Sequence, residues 1–260
     1  MPELLEVESY RQIASQAIGR RIETVEVRDT WFVKGDGDPD AVVAALERRR
    51  FVADRRIGKL LLLDTDDGAT LGVRFGMTGV LEMDGVDGID GLVYGSARRN
   101  PVWERFIVHF DGGGSMRVRD ARRLGGVELD PDESRLGPDA TTIDRATLSA
   151  VLAGSAAPVK ARLMDQSRIA GLGNLLTDDL LWRARLDPTR TAGSLDAAEI
   201  RRLHTALRAT LRVLSRRGGS HTGDLQVQRH RDGHCPRCGA LLQRGTVGGR
   251  TTYWCTAEQL

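Results

Sequence analysis

The sequence predicts an α+β protein of more than one domain, in which an N-terminal β-sandwich with flanking helices precedes a helical domain and a terminal β-hairpin. Three observations support this prediction. The chain has 260 residues, enough for two domains of ordinary size. Short apolar runs between Gly and Asp turns fill the first half, whereas helical periodicity fills most of residues 141–225. All three cysteines lie in residues 226–260.

The first half opens with a helix and then changes to strands. The helical pattern continues over residues 9–19, and a second helix is expected over residues 39–50. Many short strands around one core favour an antiparallel sandwich, which we assign to residues 1–130. Short runs bounded by turn residues predict its strands at Ile22–Val27, Leu60–Leu63, Thr70–Phe75, Val80–Met83, Phe106–Phe110 and Met116–Val118.

The second half is predicted to be helical up to its C-terminal tail. Pro, Asp and Gly residues interrupt the pattern after the sandwich, so we expect a linker over residues 131–140. The helical domain should span residues 141–225, and residues 226–260 should form a β-hairpin that carries the cysteines. The helices of that domain are expected at residues 144–152, 175–185 and 195–217.

Charge and hydropathy narrow the class of partner. The sequence has no apolar run of roughly 18 residues and no signal peptide, so we expect a soluble, cytoplasmic protein that does not bind membranes. The net charge is only +2, yet residues 201–250 contain eleven arginines and only two acids, Asp224 and Asp232. Such a local excess of positive charge is typical of a protein that binds a polyanion such as nucleic acid.

The chain opens with Met1-Pro2-Glu3, a possible nucleophile next to an acid. Removal of Met1 would leave Pro2 with a secondary α-amine, whose ordinary pKa of about 8 allows a neutral, nucleophilic fraction near pH 7. Glu3 beside it could move protons. The alternative is structural, because Pro and Glu both favour the first turn of a helix.

Three loops of the first half carry charged or apolar side chains at tight turns. Lys59 follows a glycine at the start of an apolar strand, where an ammonium could meet a phosphate. Met77 lies between two glycines, in a tight turn that would push it outwards. Arg122 and Leu124 lie in the loop over residues 120–125. Taken singly, Lys59 is more easily explained as a charged strand edge and Met77 as a core residue.

The second half offers a second set of phosphate-binding groups. Lys160 is one of three lysines in a chain with 38 Lys and Arg residues. Gly171-Leu-Gly173-Asn174 enters a predicted helix, so its backbone N–H groups and the Asn174 amide could bind a phosphate. No strand precedes this segment, and a dinucleotide site is therefore not indicated.

The tail has the spacing of a zinc site with one altered position. Cys235-Pro-Arg-Cys238 and Cys255 supply three thiols, and Glu258 occupies the place of a fourth cysteine. We expect one structural zinc ion, completed by Glu258 or by a nearby histidine, His230 or His234. The alternative is a hairpin that has lost its metal.

These motifs, in this order, resemble the formamidopyrimidine-DNA glycosylase/endonuclease VIII family. The start is similar to the family's Pro-Glu-Leu-Pro-Glu-Val-Glu opening, and the loops resemble its Gly-Lys strand, its Leu-Gly-Met-Ser-Gly turn and its Asp-Pro-Arg-Arg-Phe-Gly loop. Residues 158–188 resemble its helix–two-turn–helix module, which also occurs in a ribosomal protein and a topoisomerase. The tail resembles its zinc finger, apart from the final cysteine.

The resemblance implies a base-excision-repair enzyme that acts as a monomer on damaged double-stranded DNA. It would flip out and excise oxidised bases and cleave abasic-site DNA through a Pro2 Schiff base, by β,δ-elimination. The implied catalytic residues are Pro2, Glu3, Glu6 and Lys59. The implied DNA-binding residues are Met77, Arg122, Leu124, Lys160, Asn174 and Arg250.

Departures from the family keep two other functions open. Leu5, Leu124 and Glu258 replace a proline, a phenylalanine and a cysteine, which also fits a catalytically degenerate DNA-binding protein. A ribosome-associated protein would explain only the helix–two-turn–helix module.

The segment after the last predicted helix is short, because Gly218–Leu225 continues directly into the tail that starts at Gln226. This leaves no space for the long loop that covers 8-oxoguanine in formamidopyrimidine glycosylases. We therefore expect abasic sites and oxidised pyrimidines to be preferred to 8-oxoguanine.

Overall fold

The structure is a computed structural model that describes residues 2–35, 37–87 and 100–260. Its chain divides into two units, Met1–Glu133 and Ser134–Leu260. Within the described ranges, no helix has both the length and the apolar character needed to cross a membrane.

Helices and strands together match the predicted α+β class. The helices are α1 (Leu4–Ala14), α2 (Pro39–Leu46), α3 (Arg145–Leu152), α4 (Val159–Met164), α5 (Asn174–Ala184) and α6 (Ala197–Arg217). The strands are β1 (Ile22–Val27), β2 (Phe51–Ile57), β3 (Leu60–Thr65), β4 (Thr70–Arg74), β5 (Val80–Met83), β6 (Val86–Asp87), β7 (Glu104–Phe110), β8 (Ser115–Arg119), β9 (Gly126–Leu129), β10 (Gln243–Val247) and β11 (Arg250–Trp254).

Two antiparallel sheets form the first unit. One has the order β1-β7-β8-β5-β6 and the other has the order β2-β3-β4-β9. Apolar side chains of both sheets and of α1 and α2 share a single core, since each sheet must bury one face against another layer. The predicted sandwich with flanking helices is confirmed. Helix α1 packs against β2, β3 and β5, so the N-terminus of the chain is fixed on the sandwich.

Strands β2 and β9 were not predicted, for two different reasons. β2 contains Asp54, Arg55 and Arg56 in succession, which breaks the apolar alternation expected of a strand. Each of these charges has an ionic partner on α1, on β3 or in the turn after β9. β9 adjoins the expected linker and pairs with β4 through only four residues. Both segments form strands because they pair with a neighbouring strand in the sheet, and the spacing of residues in the sequence does not reveal that pairing.

The second unit contains the other four helices and the hairpin β10–β11. Helix α6 begins at a capping box in which Asp196 and Glu199 accept each other's backbone N–H groups, and ends at Gly218 with a φ of 99°. The hairpin has its own small core, in which Cys235, Cys255 and Leu242 pack on Trp182 of α5. The observed C-terminal hairpin with its cysteine cluster agrees with the prediction.

Candidate active site and nucleic-acid interface

Pro2 lies directly before α1 at a rigid, buried helix start. Glu3 is the N-cap residue, and its backbone N–H donates to Oε2 of Glu6 at 2.8 Å. The Glu3 carboxylate accepts the Glu6 backbone N–H in return. Pro2, Glu3 and Glu6 are all buried. The reciprocal capping therefore fixes the orientation of the first residues, and Glu6, which was predicted to be catalytic, has a positioning contact here.

Helix α1 is tied to the turn that carries Met77. The buried Tyr10 hydroxyl donates to the carbonyl of Gly79 at 3.2 Å, and its ring centre lies 4.4 Å from that of Phe75. Burial, with the nearby charges of Glu6 and Asp87, raises the pKa of Tyr10 far above its ordinary value. The phenol therefore stays a neutral donor, and it links the helix that begins after Pro2 to the turn of residues 76–79.

An ionic network connects α1 to the turn that carries Lys59. Arg56, which is nearly buried, donates to Glu8 at 3.2 Å and to the carbonyl of Gly58 at 2.8 Å. Gly58 and Lys59 form the two-residue turn between β2 and β3, and Gly58 has a φ of 58°, which glycine adopts without strain. Lys59 thus lies at a hairpin tip whose backbone is bonded to Arg56, and Arg56 in turn pairs with Glu8 of α1.

Asp120 joins the two loops predicted to enter DNA. Its buried carboxylate accepts hydrogen bonds from the Thr78 hydroxyl at 2.5 Å, from the Arg122 backbone N–H at 3.0 Å and from the Gly125 N–H at 2.7 Å. A Cβ atom on Gly76 would lie 2.4 Å from the carbonyl carbon of Leu124, so glycine is needed for the two loops to meet. The sequence analysis did not identify Asp120 as a functional residue.

The three predicted insertion side chains lie together on this pair of loops. A guanidinium nitrogen of Arg122 is 3.6 Å from the Met77 sulfur, and Arg122 is exposed. Leu124 has 51% of its surface exposed. An exposed arginine between two apolar side chains on rigid loops suits insertion into a base stack.

A neighbouring turn supports the same loop from the other side. Arg123 has a φ of 58° and donates to both carboxylate oxygens of Asp29, at 2.6 and 2.7 Å. This ion pair lowers the pKa of Asp29 below its ordinary value. Trp31, two residues further, is 68% exposed, with the Lys34 ammonium 5.3 Å from its ring centre.

In the second unit, Lys160 is buried in an ion pair. Its ammonium lies 2.6 Å from a carboxylate oxygen of Asp178 and donates to the Thr252 hydroxyl at 2.7 Å. Arg229 contacts the other oxygen of Asp178. Lys160 is 0% exposed, so in this conformation its ammonium positions the hairpin strand β11 on α4 and α5. Its predicted contact with phosphate stays a prediction.

Asn174 and Arg250 lie beside this network. The Asn174 amide donates to the carbonyl of Thr251 at 3.1 Å, and Arg250 is the preceding, exposed residue at the hairpin turn. A Cβ atom on Gly248 in that turn would lie 2.8 Å from the Cβ of Ala161 on α4. Lys160, Asn174 and Arg250, distant in sequence, are thus gathered around Thr251 and Thr252. Asp178 and Arg229, which complete the network, were not identified from the sequence.

Three thiols form a compact group at the base of the hairpin. The sulfurs of Cys235, Cys238 and Cys255 lie within 4.8 Å of one another, a spacing suited to one metal ion. Although burial opposes ionisation, the indole N–H of Trp182, 3.3 Å from the Cys235 sulfur, and two backbone N–H groups lower the pKa of Cys235 to about 7. Glu258, the predicted fourth ligand, is not in this group.

Comparisons with known proteins match the chain to two family models. The model of the formamidopyrimidine-DNA glycosylase N-terminal domain matches residues 1–127. The model of the formamidopyrimidine-DNA glycosylase H2TH domain, the helix–two-turn–helix module, matches residues 136–225.

Curated relatives and solved structures agree with these models. Two proteins named formamidopyrimidine-DNA glycosylase, from Symbiobacterium thermophilum and Paracoccus denitrificans, are each 34% identical to this chain. Both alignments span 98% of this chain, and they span 88% and 98% of the two relatives, respectively. Among solved structures, complexes of Lactococcus lactis Fpg with DNA containing an abasic site and with DNA containing FAPY-dG each have a TM-score of 0.83, 25% identity and 99% coverage of both chains. The similarity extends over nearly all of the chain.

Proposed function

Because the chain belongs to the formamidopyrimidine-DNA glycosylase family, and is therefore a DNA repair glycosylase with abasic-site lyase activity, we propose that Pro2 is its nucleophile. The observation that carries this proposal is the buried capping box of Glu3 and Glu6, which fixes Pro2 at the start of α1. A nucleophile gains most when its position is fixed before the substrate arrives.

The proposed reaction starts once the damaged nucleotide has left the base stack. The Pro2 nitrogen attacks C1′ while the glycosidic bond breaks, and the base departs with the bonding electron pair. Glu3 supplies and removes the protons at the sugar and at the leaving group. The Pro2 nitrogen then loses its proton, and the C1′–O4′ bond breaks as O4′ takes up a proton, which opens the sugar ring and forms the iminium. The iminium draws electrons from C2′, so a C2′ proton is lost and the 3′ phosphate departs by β-elimination. δ-Elimination of the 5′ phosphate follows, and hydrolysis of the iminium releases Pro2.

The DNA-binding residues would act in two groups. In the first unit, Met77, Arg122 and Leu124 would fill the gap that the flipped nucleotide leaves, with Lys59 on the backbone phosphate. In the second unit, Asn174 and Arg250 would bind phosphate, with Lys160 supporting the strand that carries Arg250. Damaged double-stranded DNA is the partner, and the monomeric state and cytoplasmic location remain predictions.

We further propose that Cys235, Cys238 and Cys255 bind one zinc ion. Three thiols within 4.8 Å of one another supply three corners of a tetrahedral site. Zinc bound here would stabilise the hairpin that presents Arg250 and would take no part in the chemistry.

Reductive trapping tests the nucleophile. With borohydride and abasic-site DNA, the wild-type chain should become covalently attached, and peptide mapping should place the adduct on Pro2. A matched variant with one alanine inserted before Pro2 keeps every side chain but converts the amine to an amide, so it should give no adduct. An adduct on Lys59 or Lys160, or equal trapping of the extended variant, would contradict the proposal.

The same assay separates the enzyme from a degenerate DNA-binding protein. The departure at Leu5 is accommodated structurally, since this leucine is buried on α1. The departure at Leu124 preserves an exposed apolar tip. A chain that binds abasic-site DNA but gives no adduct at all would favour the degenerate function.

A further inference from the structure

Glu258 occupies the position of the missing fourth cysteine, and the structure gives its carboxylate a different partner. One of its oxygens lies 3.0 Å from a guanidinium nitrogen of Arg237 and 3.6 Å from Nε of Arg185. Its side chain is only 17% exposed, so this ion pair is partly shielded from solvent.

Arg237, which lies between the first two cysteines, is itself anchored on α5. Its guanidinium carbon is 4.3 Å from the centre of the Trp182 ring, and it donates to the Trp182 carbonyl at 3.4 Å. The Trp182 indole N–H in turn donates to the Cys235 sulfur at 3.3 Å. One tryptophan therefore supports both the first thiol and the arginine that binds Glu258.

The next residue fastens the C-terminal turn from the other side. The buried side chain of Gln259 accepts the Cys255 backbone N–H at 2.9 Å and donates to the Leu186 carbonyl at 2.8 Å. Glu258 and Gln259 thus attach the turn after β11 to α5 through ordinary hydrogen bonds and an ion pair. Closure of the finger does not require that Glu258 bind a metal.

The thiol group has a side that solvent can reach. Cys235 and Cys255 are buried, but Cys238 is exposed. Among the described residues, no His, Asp or Glu joins the three sulfurs in a group of mutually close ligand atoms. Zinc in proteins keeps a solvent ligand where the chain supplies only three.

From these contacts we propose that Glu258 closes the finger as an ionic clamp with Arg237, and that the fourth ligand of the three-thiolate zinc site comes from solvent. The inference deepens the proposed zinc site and rests on it. It assigns to Glu258 a role in attaching the C-terminal turn, in place of the metal-binding role that its position suggests.

Cobalt substitution of the full-length protein tests the ligand set, because Co²⁺ gives absorption bands that report the number and kind of its ligands. Glu258→Gln should bind about one equivalent of metal, like the wild type, with unchanged band positions. Glu258→Cys should add a thiolate and shift the bands, whereas Cys238→Ser should lose the share of the sulfur-to-metal absorption that one of the three thiolates contributes. A changed spectrum or lost metal in Glu258→Gln would overturn the proposal.

Hydrogen exchange at residues 255–260 of the full-length protein as purified tests the clamp. Glu258→Gln and Arg237→Gln should each speed exchange, and the double variant should be faster by less than the product of the two single effects, since both single variants break the same ion pair. Additive effects, or no effect of Arg237→Gln, would overturn the clamp. A wild type that binds neither zinc nor cobalt would overturn the zinc proposal instead, and the exchange results would then decide the clamp alone.

Discussion

At the scale of single residues, Asp120 connects the two loops that carry the side chains proposed to insert into DNA. It is fully buried, and all three donors to its carboxylate belong to the turn of residues 76–79 or the loop of residues 120–125. A buried carboxylate that accepts several hydrogen bonds fixes its donors, because loss of any one leaves a buried polar group without its partner.

Asp120→Asn should loosen these loops without touching Pro2. An amide can replace only some of the acceptor positions, so the free energy of unfolding should fall by about 1–3 kcal/mol. Trapping on duplex abasic-site DNA should slow more than trapping on the single-stranded form, which needs no gap filling. Unfolding in urea and timed trapping measure the two effects. Asp111→Asn, at an exposed turn, is the control and should change neither the free energy of unfolding nor the trapping rates. Equal slowing of trapping on both DNA forms would contradict the positioning role of Asp120.

At the scale of elements, the attachment of α1 to β2 depends on charge. Glu8 on the helix accepts from Arg11 at 2.7 Å and from Arg56 at 3.2 Å, and Arg11 also contacts Asp54 on the strand. Although burial acts in the opposite direction, the hydrogen bonds from Arg11 and Arg56 lower the pKa of Glu8. A carboxyl with a lowered pKa in the folded state stabilises the fold above its unfolded pKa, which is about 4.3.

Glu8→Gln should therefore destabilise the protein at pH 7 and lose its effect in acid. The pair is partly exposed, so we expect a decrease of only about 0.5–1 kcal/mol in the free energy of unfolding. As the pH falls through the lowered pKa of Glu8, the wild type loses the same stabilisation and the difference should vanish. Urea unfolding at pH 7 and pH 3 measures it, with the exposed Glu23→Gln as control. A difference as large at pH 3 as at pH 7 would point to packing.

The hairpin β10–β11 carries Arg250, which we propose to be a DNA contact. Gly248 and Gly249 both have positive φ, at 56° and 72°, but only Gly248 lies against α4. Alanine at either position has the backbone strain of a left-handed residue, about 1–2 kcal/mol. At Gly248 the added methyl group would also displace the turn from Ala161.

Gly248→Ala should thus weaken DNA binding more than Gly249→Ala does. The two variants should differ by about 1 kcal/mol in the free energy of binding, which is roughly fivefold in Kd. The reason is that the turn carries Arg250, whose placement depends on the contact with α4. Fluorescence anisotropy with abasic-site DNA at one fixed salt concentration measures both affinities. If the two variants bind equally, the close approach of Gly248 to Ala161 does not position Arg250.

At the scale of the whole molecule, the short connection after α6 bears on which lesion is accepted. Residues 220–228 form two 3-10 turns, Ser220–Thr222 and Gln226–Gln228. Asp179 accepts the Leu225 N–H at 3.1 Å, and Asp224 pairs with both Arg183 and Arg217. The middle of this segment is bonded to α5 and to the end of α6, and the segment is too short to form a cover over a base.

We therefore expect abasic sites and oxidised pyrimidines to be processed faster than 8-oxoguanine. Selectivity for the oxidised edge of a purine needs polar partners, and a site without a covering loop has fewer of them. Single-turnover cleavage of duplexes with thymine glycol, an abasic site or 8-oxoguanine opposite cytosine measures the order, and undamaged duplex is the control. Equal rates for 8-oxoguanine and thymine glycol would show that the connection after α6 does not set the preference.

The sequence by itself determined the features that depend on neighbours along the chain. Pro2 next to Glu3, the Gly58-Lys59 turn, the Gly76–Gly79 turn and the Cys235-Pro-Arg-Cys238 spacing are local, so turn and helix-start chemistry was enough to place them. The order of these motifs also identified the family and the fold class. The sandwich, the helical module and the hairpin could be predicted as well, since helices and strands each have their own spacing of apolar residues along the chain.

Tertiary structure alone decided which distant side chains meet. Asp120 contacts Thr78 across the sheet, Lys160 is buried against Asp178 and Thr252, and Glu258 pairs with Arg237 rather than joining the thiol group. A buried charge looks like a surface charge in a sequence, because its partner lies far along the chain. The energy of a buried charge depends on that partner, and only the folded chain brings the two together.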